Sequence, residues 1–272
     1  GIRDIGVTGV QTCALPILES GWFFTSCQML PDADSYNVIG EMRGTQHPEE
    51  IITIGGHLDS WDLGEGAHDD GAGCTQTIEV LRTFKALGFR PDRTIRFVMF
   101  MNEENGGRGG DAYLAAAKDK KEKHVFAIES DAGGFTPRGF STQTSSEKFE
   151  KLRSWMSLLA PYETERISND GSGSDIDNLS ELGTALAGLS PDSQRYFDVH
   201  HASTDVFEAV SKRELDLGSF AMAALVYLAN AHMDRALVNA DGEMLIVPQQ
   251  GRVVVRTELG VLAARQIGRA HV

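Results

Sequence analysis

A nearly continuous apolar run, TIRFVMFM at residues 94–101, does most to limit the folds open to this chain. Such a run is typical of a strand that is buried on both faces. It belongs to an alternating series, because helices are predicted between most of the strands at 36–43, 50–55, 94–101, 124–130 and 184–189. The sequence therefore predicts an α/β fold with a mixed, mostly parallel central sheet and helices on both faces.

Helix signals fill the intervals between these strands. A first helix carries Val80 and Phe84 at helical spacing and ends before Gly88, and an alanine-rich helix ends in the lysine-rich turn 118–123. Further helices are predicted at 147–159, 175–182 and 211–235. The first two strands, 36–43 and 50–55, are expected to pair with each other. Near the C terminus, the apolar runs Met244–Val247 and Val253–Val255 predict a hairpin.

The two ends of the chain do not read as natural protein. Residues 7–17 can be back-translated into the DNA sequence of a sequencing-library adapter. One back-translation of Gln266–Val272 contains the stretch GATCGGAAGAGC. This stretch is the reverse complement of possible codons for Ala14–Ile17. We therefore expect a gene fragment with non-native segments at 1–17 and 266–272. Residues 18–236 are predicted to form a catalytic domain that is incomplete at its N terminus, and no role is predicted for the extension 237–265.

Charge and apolar patterning limit the classes of partner. The chain has 25 Lys and Arg against 39 Asp and Glu, a formal net charge of −14. Nucleic acids and anionic membranes require a basic face, so neither is expected as a partner. No run of eighteen apolar residues occurs, so no membrane span is predicted. Three cysteines cannot build a disulfide framework, and Cys27 and Cys74 are expected to be small buried hydrophobes.

Histidines and acids follow the predicted strands, where ligands bind in open α/β sheets. The candidates come from separate strand ends and loops: His57 and Asp59 after IITIGG, Asp69 in GAHDDGAG, Glu103 and Glu104 after the 94–101 strand, Asp131 after HVFAIES, and His201 in YFDVHHASTD. One such residue is commonplace, but several in one chain indicate a metal site. Because His, Asp and Glu are ligands of zinc, we expect zinc there.

These residue types suit a hydrolytic centre with two zinc ions. Two ions about 3.5–4 Å apart can share a water, lower its pKa and stabilise the oxyanion formed on attack. In the pair Glu103–Glu104 one carboxylate can bind metal while the other accepts the proton of the attacking water. Asp59 is expected to accept the second N–H of His57 and so fix its tautomer.

Four stretches, GGHLDSWDLGEGAHDDGAG, FMNEENGG, AIESDAGGF and HHASTD, resemble family 28 of the zinc metallopeptidases. The likeness is strongest to its plasma glutamate carboxypeptidase branch and weaker to the bacterial leucyl aminopeptidases, and it covers about residues 35–235. It implies the zinc-dependent exopeptidase fold, truncated at the N terminus. A secretion signal, a first helix and strand, and a lid-like insertion would lie upstream of Leu18 in the parent protein.

The resemblance also implies a role for each metal-site residue. His57 and Asp131 would bind the first zinc, and Glu104 and His201 the second, while Asp69 would bridge the two ions. Two zinc ions per chain are therefore implied as cofactors.

The remaining implied features concern catalysis and backbone. Glu103 would be the general base, and Asp59 would support catalysis from beside His57. A cis peptide is implied after the bridging aspartate, at Asp69–Asp70. The family's usual Asp-Thr pair is Asp205–Val206 here, a departure that costs a hydrogen bond but no ligand.

The implied activity is that of a co-catalytic two-zinc exopeptidase that hydrolyses amide bonds of short peptides, as an aminopeptidase, dipeptidase or carboxypeptidase. The attacking group would be a hydroxide that bridges the metals. The parent protein is expected to be extracytoplasmic, either secreted or periplasmic. Its partners would be small peptide substrates, and its oligomeric state stays open, a homodimer included.

Three alternatives stay open. The first is a one-zinc acyl transferase of the glutaminyl cyclase type, and the second is a catalytically silent receptor ectodomain of the same fold. Thirdly, a fragment without its upstream strands would expose a sheet edge and aggregate. His68 and His200 match no ligand position and are expected to line the pocket. The segment Ser172–Asp175 fits a substrate pocket and a flexible turn with an N-cap at Ser174 equally well.

Overall fold

The structure, a computed structural model, describes residues 31–230, 252–257 and 260–265. Its main sheet has seven strands: β1 Val38–Met42, β2 His47–His57, β3 Arg93–Phe100, β4 Lys123–Glu129, β5 Pro137–Gln143, β6 Arg166–Ile167 and β7 Ala185–Pro191. The α-helices are α1 Gly71–Ala86, α2 Arg108–Lys120, α3 Ser146–Trp155 and α4 Lys212–Asn230. The predicted termini, 1–17 and 266–272, lie outside the described residues.

The sheet is mixed, with strand order β1-β3-β2-β4-β7-β5-β6. Strands β3, β2, β4 and β7 run parallel to one another, whereas β1 is antiparallel to β3 and β5 is antiparallel to β7. This arrangement confirms the predicted α/β class and the mostly parallel centre of the sheet.

The expected pairing of the first two strands is wrong. β1 pairs with β3, and β2 has β3 on one side and β4 on the other. The burial of the strands explains the order, since β2 buries Ile52 and Ile54 completely while Val38 and Ile39 of β1 are exposed. A strand that is apolar on both faces belongs in the middle of a covered sheet, and a half-exposed strand belongs at its edge.

Helices cover both faces of the sheet and enclose two apolar clusters. One face packs on α1 and α4 through residues that include Ile54, Val80, Phe84 and Leu225. The other face packs on α2 and on the 3₁₀ turn Asp177–Leu182 through residues that include Phe100. Because side chains alternate along β3, that single strand contributes to both clusters.

Other sequence predictions differ in detail from the structure. The predicted helix 147–159 ends at Trp155 and continues as the 3₁₀ turn Met156–Leu158, and the predicted helix 175–182 is entirely 3₁₀. Strands β5 and β6 were not predicted. The run Val253–Val255 does lie in a strand, β8 Arg252–Thr257, but this pairs with β9 Gly260–Arg265. The expected partner, Met244–Val247, lies outside the described residues.

The parallel core sets the place of the candidate site. β2, β3 and β4 end next to each other at His57, Phe100 and Glu129, so the loops that follow them meet at one edge of the sheet. In open α/β sheets this edge is where ligands bind.

Candidate metal centre

His57 is the last residue of β2, and its ring is held through both nitrogens. Nδ1 donates to the main-chain oxygen of Asp59 at 2.8 Å. Since a carbonyl can only accept, the proton sits on Nδ1 and Nε2 is available as a ligand. That nitrogen lies 3.0 Å from Asp131 Oδ1 and 3.2 Å from Asp69 Oδ1, and His57 is 1% exposed.

Asp59 fixes the tautomer of His57, but not with the group predicted. Its carboxylate oxygen Oδ1 is 3.9 Å from His57 Nδ1, so the hydrogen bond is made by the carbonyl instead. The carboxylate accepts the main-chain N–H groups of Glu103 at 3.1 Å and of Glu104 at 3.2 Å. Asp59 therefore connects the end of β2 to the turn after β3, where Asn102 has a φ of 70°.

Asp69 lies between two groups of ligand-type side chains. Its Oδ1 faces His57 Nε2, and its Oδ2 is 3.3 Å from His201 Nε2. Glu104 completes the second group, because its Oε2 is 3.0 Å from the same His201 nitrogen. The seven residues predicted for the site therefore come together, with Glu103 Oε2 3.9 Å from His57 Nε2.

Two further acids, whose roles the sequence did not reveal, hold the predicted ligands. Asp70 accepts the His57 main-chain N–H at 2.9 Å and also caps α1 by accepting the Gly73 N–H at 2.9 Å. Asp205 accepts the main-chain N–H groups of His68 at 2.6 Å and of Asp69 at 3.1 Å. An acid directly before a helix is an N-cap signal, so Asp70 could have been found. Asp205 lies more than a hundred residues from both of its partners, and no local pattern reveals it.

The peptide between Asp69 and Asp70 is cis, as the family resemblance implied.

Crowding of buried acids shifts the pKa values of the site. Burial raises the pKa of Glu104 to about 8, and the charge of Asp69 adds to this shift. Burial and the charge of Asp131 raise the pKa of Glu103. Burial alone would lower the pKa of His57, but its hydrogen bonds to Asp131 and Asp69 outweigh that effect and raise it. A cation would relieve this concentration of negative charge.

The donor set fits zinc. Two groups, His57 with Asp69 and Asp131, and Asp69 with His200 and His201, each hold their ligand atoms within 4.8 Å of one another, and they share Asp69. Asp69 Oδ2 and Glu104 Oε1 are buried without a hydrogen-bond partner in the described part of the chain. Buried carboxylate oxygens normally have a donor or a metal, so these two atoms point to bound cations.

The two histidines that were expected to line the pocket, His200 and His68, differ from each other. His200 stacks on His201, with ring centroids 3.7 Å apart, and its Nε2 is 3.7 Å from Asp69 Oδ2, so it does border the site. His68 is only 1% exposed, stacks on Phe135 and accepts the Gly134 N–H through Nδ1. It therefore packs beneath the site, and its predicted place on the pocket surface is wrong.

A pocket of about 430 Å³ opens beside the metal centre and shares Asp131 with it. Ser172, Gly173 and Ser174 line this pocket. The N-cap of the following 3₁₀ turn is Ile176, so the alternative reading of Ser174 as an N-cap is wrong. The structure favours the pocket interpretation of this segment.

The sequence of this chain is similar to those of known peptidases. The sequence model of the family described as "Peptidase family M28" matches residues 37–226 of this chain. Rat (Rattus norvegicus) carboxypeptidase Q is 36% identical over 207 residues, which are 76% of this chain and 44% of the rat protein. The chain thus spans less than half the length of this relative.

Solved structures are similar as well, and those under 25% identical show a likeness of fold alone. A peptidase M28 precursor from Shewanella amazonensis superposes with a TM-score of 0.69 at 33% identity, over 75% of this chain and 47% of that one. A zinc aminopeptidase from Bacillus subtilis superposes with a TM-score of 0.60 at 23% identity, over 74% of this chain and 51% of that one. A glutaminyl cyclase from Fimbriiglobus ruber superposes with a TM-score of 0.54 at 14% identity, over 70% of this chain and 74% of that one. This is a likeness of fold alone.

Proposed function

The chain belongs to peptidase family M28, and from this we propose that it is the catalytic part of a zinc exopeptidase that cleaves amide bonds of short peptides. The observation that carries the proposal is the position of Asp69, whose two oxygens face two different histidines. One carboxylate between two ligand groups suits a pair of ions that share it. We therefore propose two zinc ions per chain.

In this proposal each ion has its own set of side chains. His57 and Asp131 would hold the first, Glu104 and His201 would hold the second, and Asp69 would serve both. His200 also lies within reach of Asp69 and His201, but the family resemblance assigns it no ligand role, so we place it beside the second set. When bound, zinc supplies Lewis-acid chemistry, which acidifies water and stabilises negative charge on the carbonyl oxygen under attack.

Glu103 is the proton carrier of the proposed reaction. Its carboxylate faces the metal cluster, 3.9 Å from His57 Nε2, without belonging to either ligand group. Burial raises its pKa, which makes it a better base for the proton of the attacking water. The same carboxyl group then passes the proton to the leaving amine. Asp59 fixes the position of Glu103 through its main-chain N–H.

The wider proposal concerns the parent protein. By its resemblance to family 28 we propose that residues 18–236 are its catalytic domain and that it works outside the cytoplasm on small peptides. None of the helices in the described residues has the length and apolar character needed to cross a bilayer.

A one-zinc acyl transferase of the glutaminyl cyclase type is the second candidate. The fold likeness to such an enzyme supports it, but the second ligand group around His201 favours the two-ion peptidase. A catalytically silent receptor requires neither a general base such as Glu103 nor an intact set of metal ligands, so their presence together argues against this alternative.

The test combines metal analysis with turnover. We expect the purified chain to bind two zinc ions and to release amino acids from dipeptides, and we expect Asp69→Asn to lose both properties. Asp119→Asn, on the exposed face of α2, is the matched control. One zinc per chain with cyclisation of N-terminal glutamine and no peptide hydrolysis would establish the second candidate instead.

A further inference from the structure

The pocket beside the candidate metal centre has a mixed lining of hydroxyl groups and apolar surface. Hydroxyl groups come from β5, β7 and the loops around them, namely Ser141, Ser172, Ser174, Ser190 and Ser193. Gly188 brings the Ser141 hydroxyl close, since a Cβ at this glycine would lie 2.9 Å from Ser141 Oγ. The apolar part of the lining comes from Ala132, Leu189, Pro191 and the ring of Tyr196.

A buried acid with one unused oxygen also lines this pocket. Glu129, the last residue of β4, is 1% exposed, and its Oε2 accepts the Asp175 main-chain N–H at 3.1 Å. Its Oε1 has no hydrogen-bond partner within the described residues. Gly173 makes room for the carboxyl group, because a Cβ there would lie 2.3 Å from Glu129 Cδ. This oxygen is itself buried, and both carboxylate oxygens of Asp175 likewise have no hydrogen-bond partner in the described part of the chain.

The pocket is continuous with the proposed reaction centre. Asp131 belongs to both, and Glu129, the last residue of β4, lies two residues earlier in the chain. Tyr196 also joins them, because its ring is 4.7 Å from that of His200. A side chain next to the scissile bond would therefore enter this pocket.

The lining distinguishes classes of side chain. A hydroxyl or amide can exchange hydrogen bonds with the serines that line the pocket. A branched apolar side chain would displace water from these groups without replacing its hydrogen bonds, which is costly. An acidic side chain would meet Asp131, and a lysine ammonium would have to lose its strong hydration in the pocket.

We propose that this pocket selects short, uncharged side chains that donate a hydrogen bond, such as those of serine, threonine and asparagine. The inference rests on the proposed peptidase function, because it assigns the substrate class of that same site.

The test uses threonine and valine, which have the same shape and differ in one hydroxyl. Kinetics on Thr-Ala, Val-Ala, Ala-Thr and Ala-Val should show a kcat/KM at least tenfold higher for threonine at one of the two positions. Lys-Ala and Ala-Lys should be cleaved more slowly than the favoured threonine peptide. Equal rates for threonine and valine at both positions, or a preference for lysine, would overturn the proposal.

Variants of the lining locate the selection. Ser190→Val and Ser141→Val should each reduce the preference for threonine several-fold, whereas Ser157→Val, on the exposed turn after α3, should leave it unchanged. Circular dichroism and zinc content identify variants that have not folded, and Ser190→Ala and Ser141→Ala then replace them. An unchanged preference in folded variants would contradict the assignment.

A binding measurement separates this inference from the proposed function. Calorimetry with the zinc-loaded chain should give a lower Kd for threonine hydroxamate than for valine hydroxamate, by at least tenfold, even if no dipeptide is cleaved. Turnover without selectivity would refute only the inference, and selective binding without turnover would refute only the peptidase proposal.

Discussion

The carboxylate of Asp59 holds Glu103 in place by accepting its main-chain N–H at 3.1 Å, and its second oxygen accepts the Glu104 N–H at 3.2 Å. Asp59→Ala removes both acceptors, and we expect kcat to fall about 10–100-fold, as for other groups that orient metal-site residues. Zinc at His57 should be retained, since its Nδ1 is held by a main-chain oxygen. Steady-state kinetics with metal analysis tests this, and Asp59→Asn, which keeps one acceptor oxygen, should be less affected. A change confined to KM would contradict it.

Glu103→Gln isolates the proton-transfer step. The amide keeps the size of the side chain but cannot accept the proton, so we expect kcat to fall by about 10²–10⁴-fold. Because Glu103 is not assigned as a ligand, zinc content should stay the same. Glu104→Gln is the matched comparison and should lose zinc as well as activity. If Glu103→Gln kept most of its rate, another group would be the base.

Zinc should stabilise the folded chain. The site brings together carboxylates that repel one another, and a ligand that binds only the folded state adds about 2.7 kcal/mol at a concentration one hundred times its Kd. We expect chelation to lower Tm and zinc to restore it. His201→Ala should reduce the zinc content to about one ion per chain, while Asp69→Asn should remove the stabilisation. Equal Tm values with chelator and with zinc would show that the cluster does not bind the metal.

Asp205 supports Asp69 from outside the ligand set. Asp205 is 3% exposed, and its carboxylate accepts two main-chain N–H groups. Asp205→Ala would leave both donors buried without a partner, at a cost of about 1–3 kcal/mol for each. Urea unfolding with chelator present should show this loss, and a zinc titration should show weaker binding. Asp205→Asn, which can still accept, should lose less stability.

A half-buried ion pair away from the site provides a test of acid sensitivity. Arg96 donates to both oxygens of Glu122, at 2.7 and 3.1 Å, and these hydrogen bonds lower the Glu122 pKa from its usual 4.5. Since the folded pKa is the lower one, the pair contributes its stability above pH 4.5 and loses it as the pH falls through the folded value. The wild-type chain should therefore have a larger free energy of unfolding than the Glu122→Gln variant at pH 7. This difference should vanish at low pH. Urea unfolding at several pH values measures this, and a constant difference would exclude the mechanism.

Local patterns predicted the residues of the site, and long-range contacts decided how they are held. The strand ends at His57, Glu103 and Asp131 could be found because apolar runs mark buried strands and polar residues follow them. β5, with the sequence PRGFSTQ, was missed because it has neither an apolar run nor a clear alternation, and contacts with β7 make it a strand. The carbonyl of Asp59 was missed for a related reason, since a side-chain pattern contains no information about main-chain oxygens.

His201 adopts a φ of 54°, in the left-handed region that costs an ordinary residue about 1–2 kcal/mol and costs glycine little. The proposed metal ligand thus occupies a position where glycine would relax the backbone. Selection for heat tolerance and selection for hydrolysis would then act in opposite directions at this one codon. A library enriched only for folded protein should accumulate glycine at position 201, and one enriched for turnover should keep histidine.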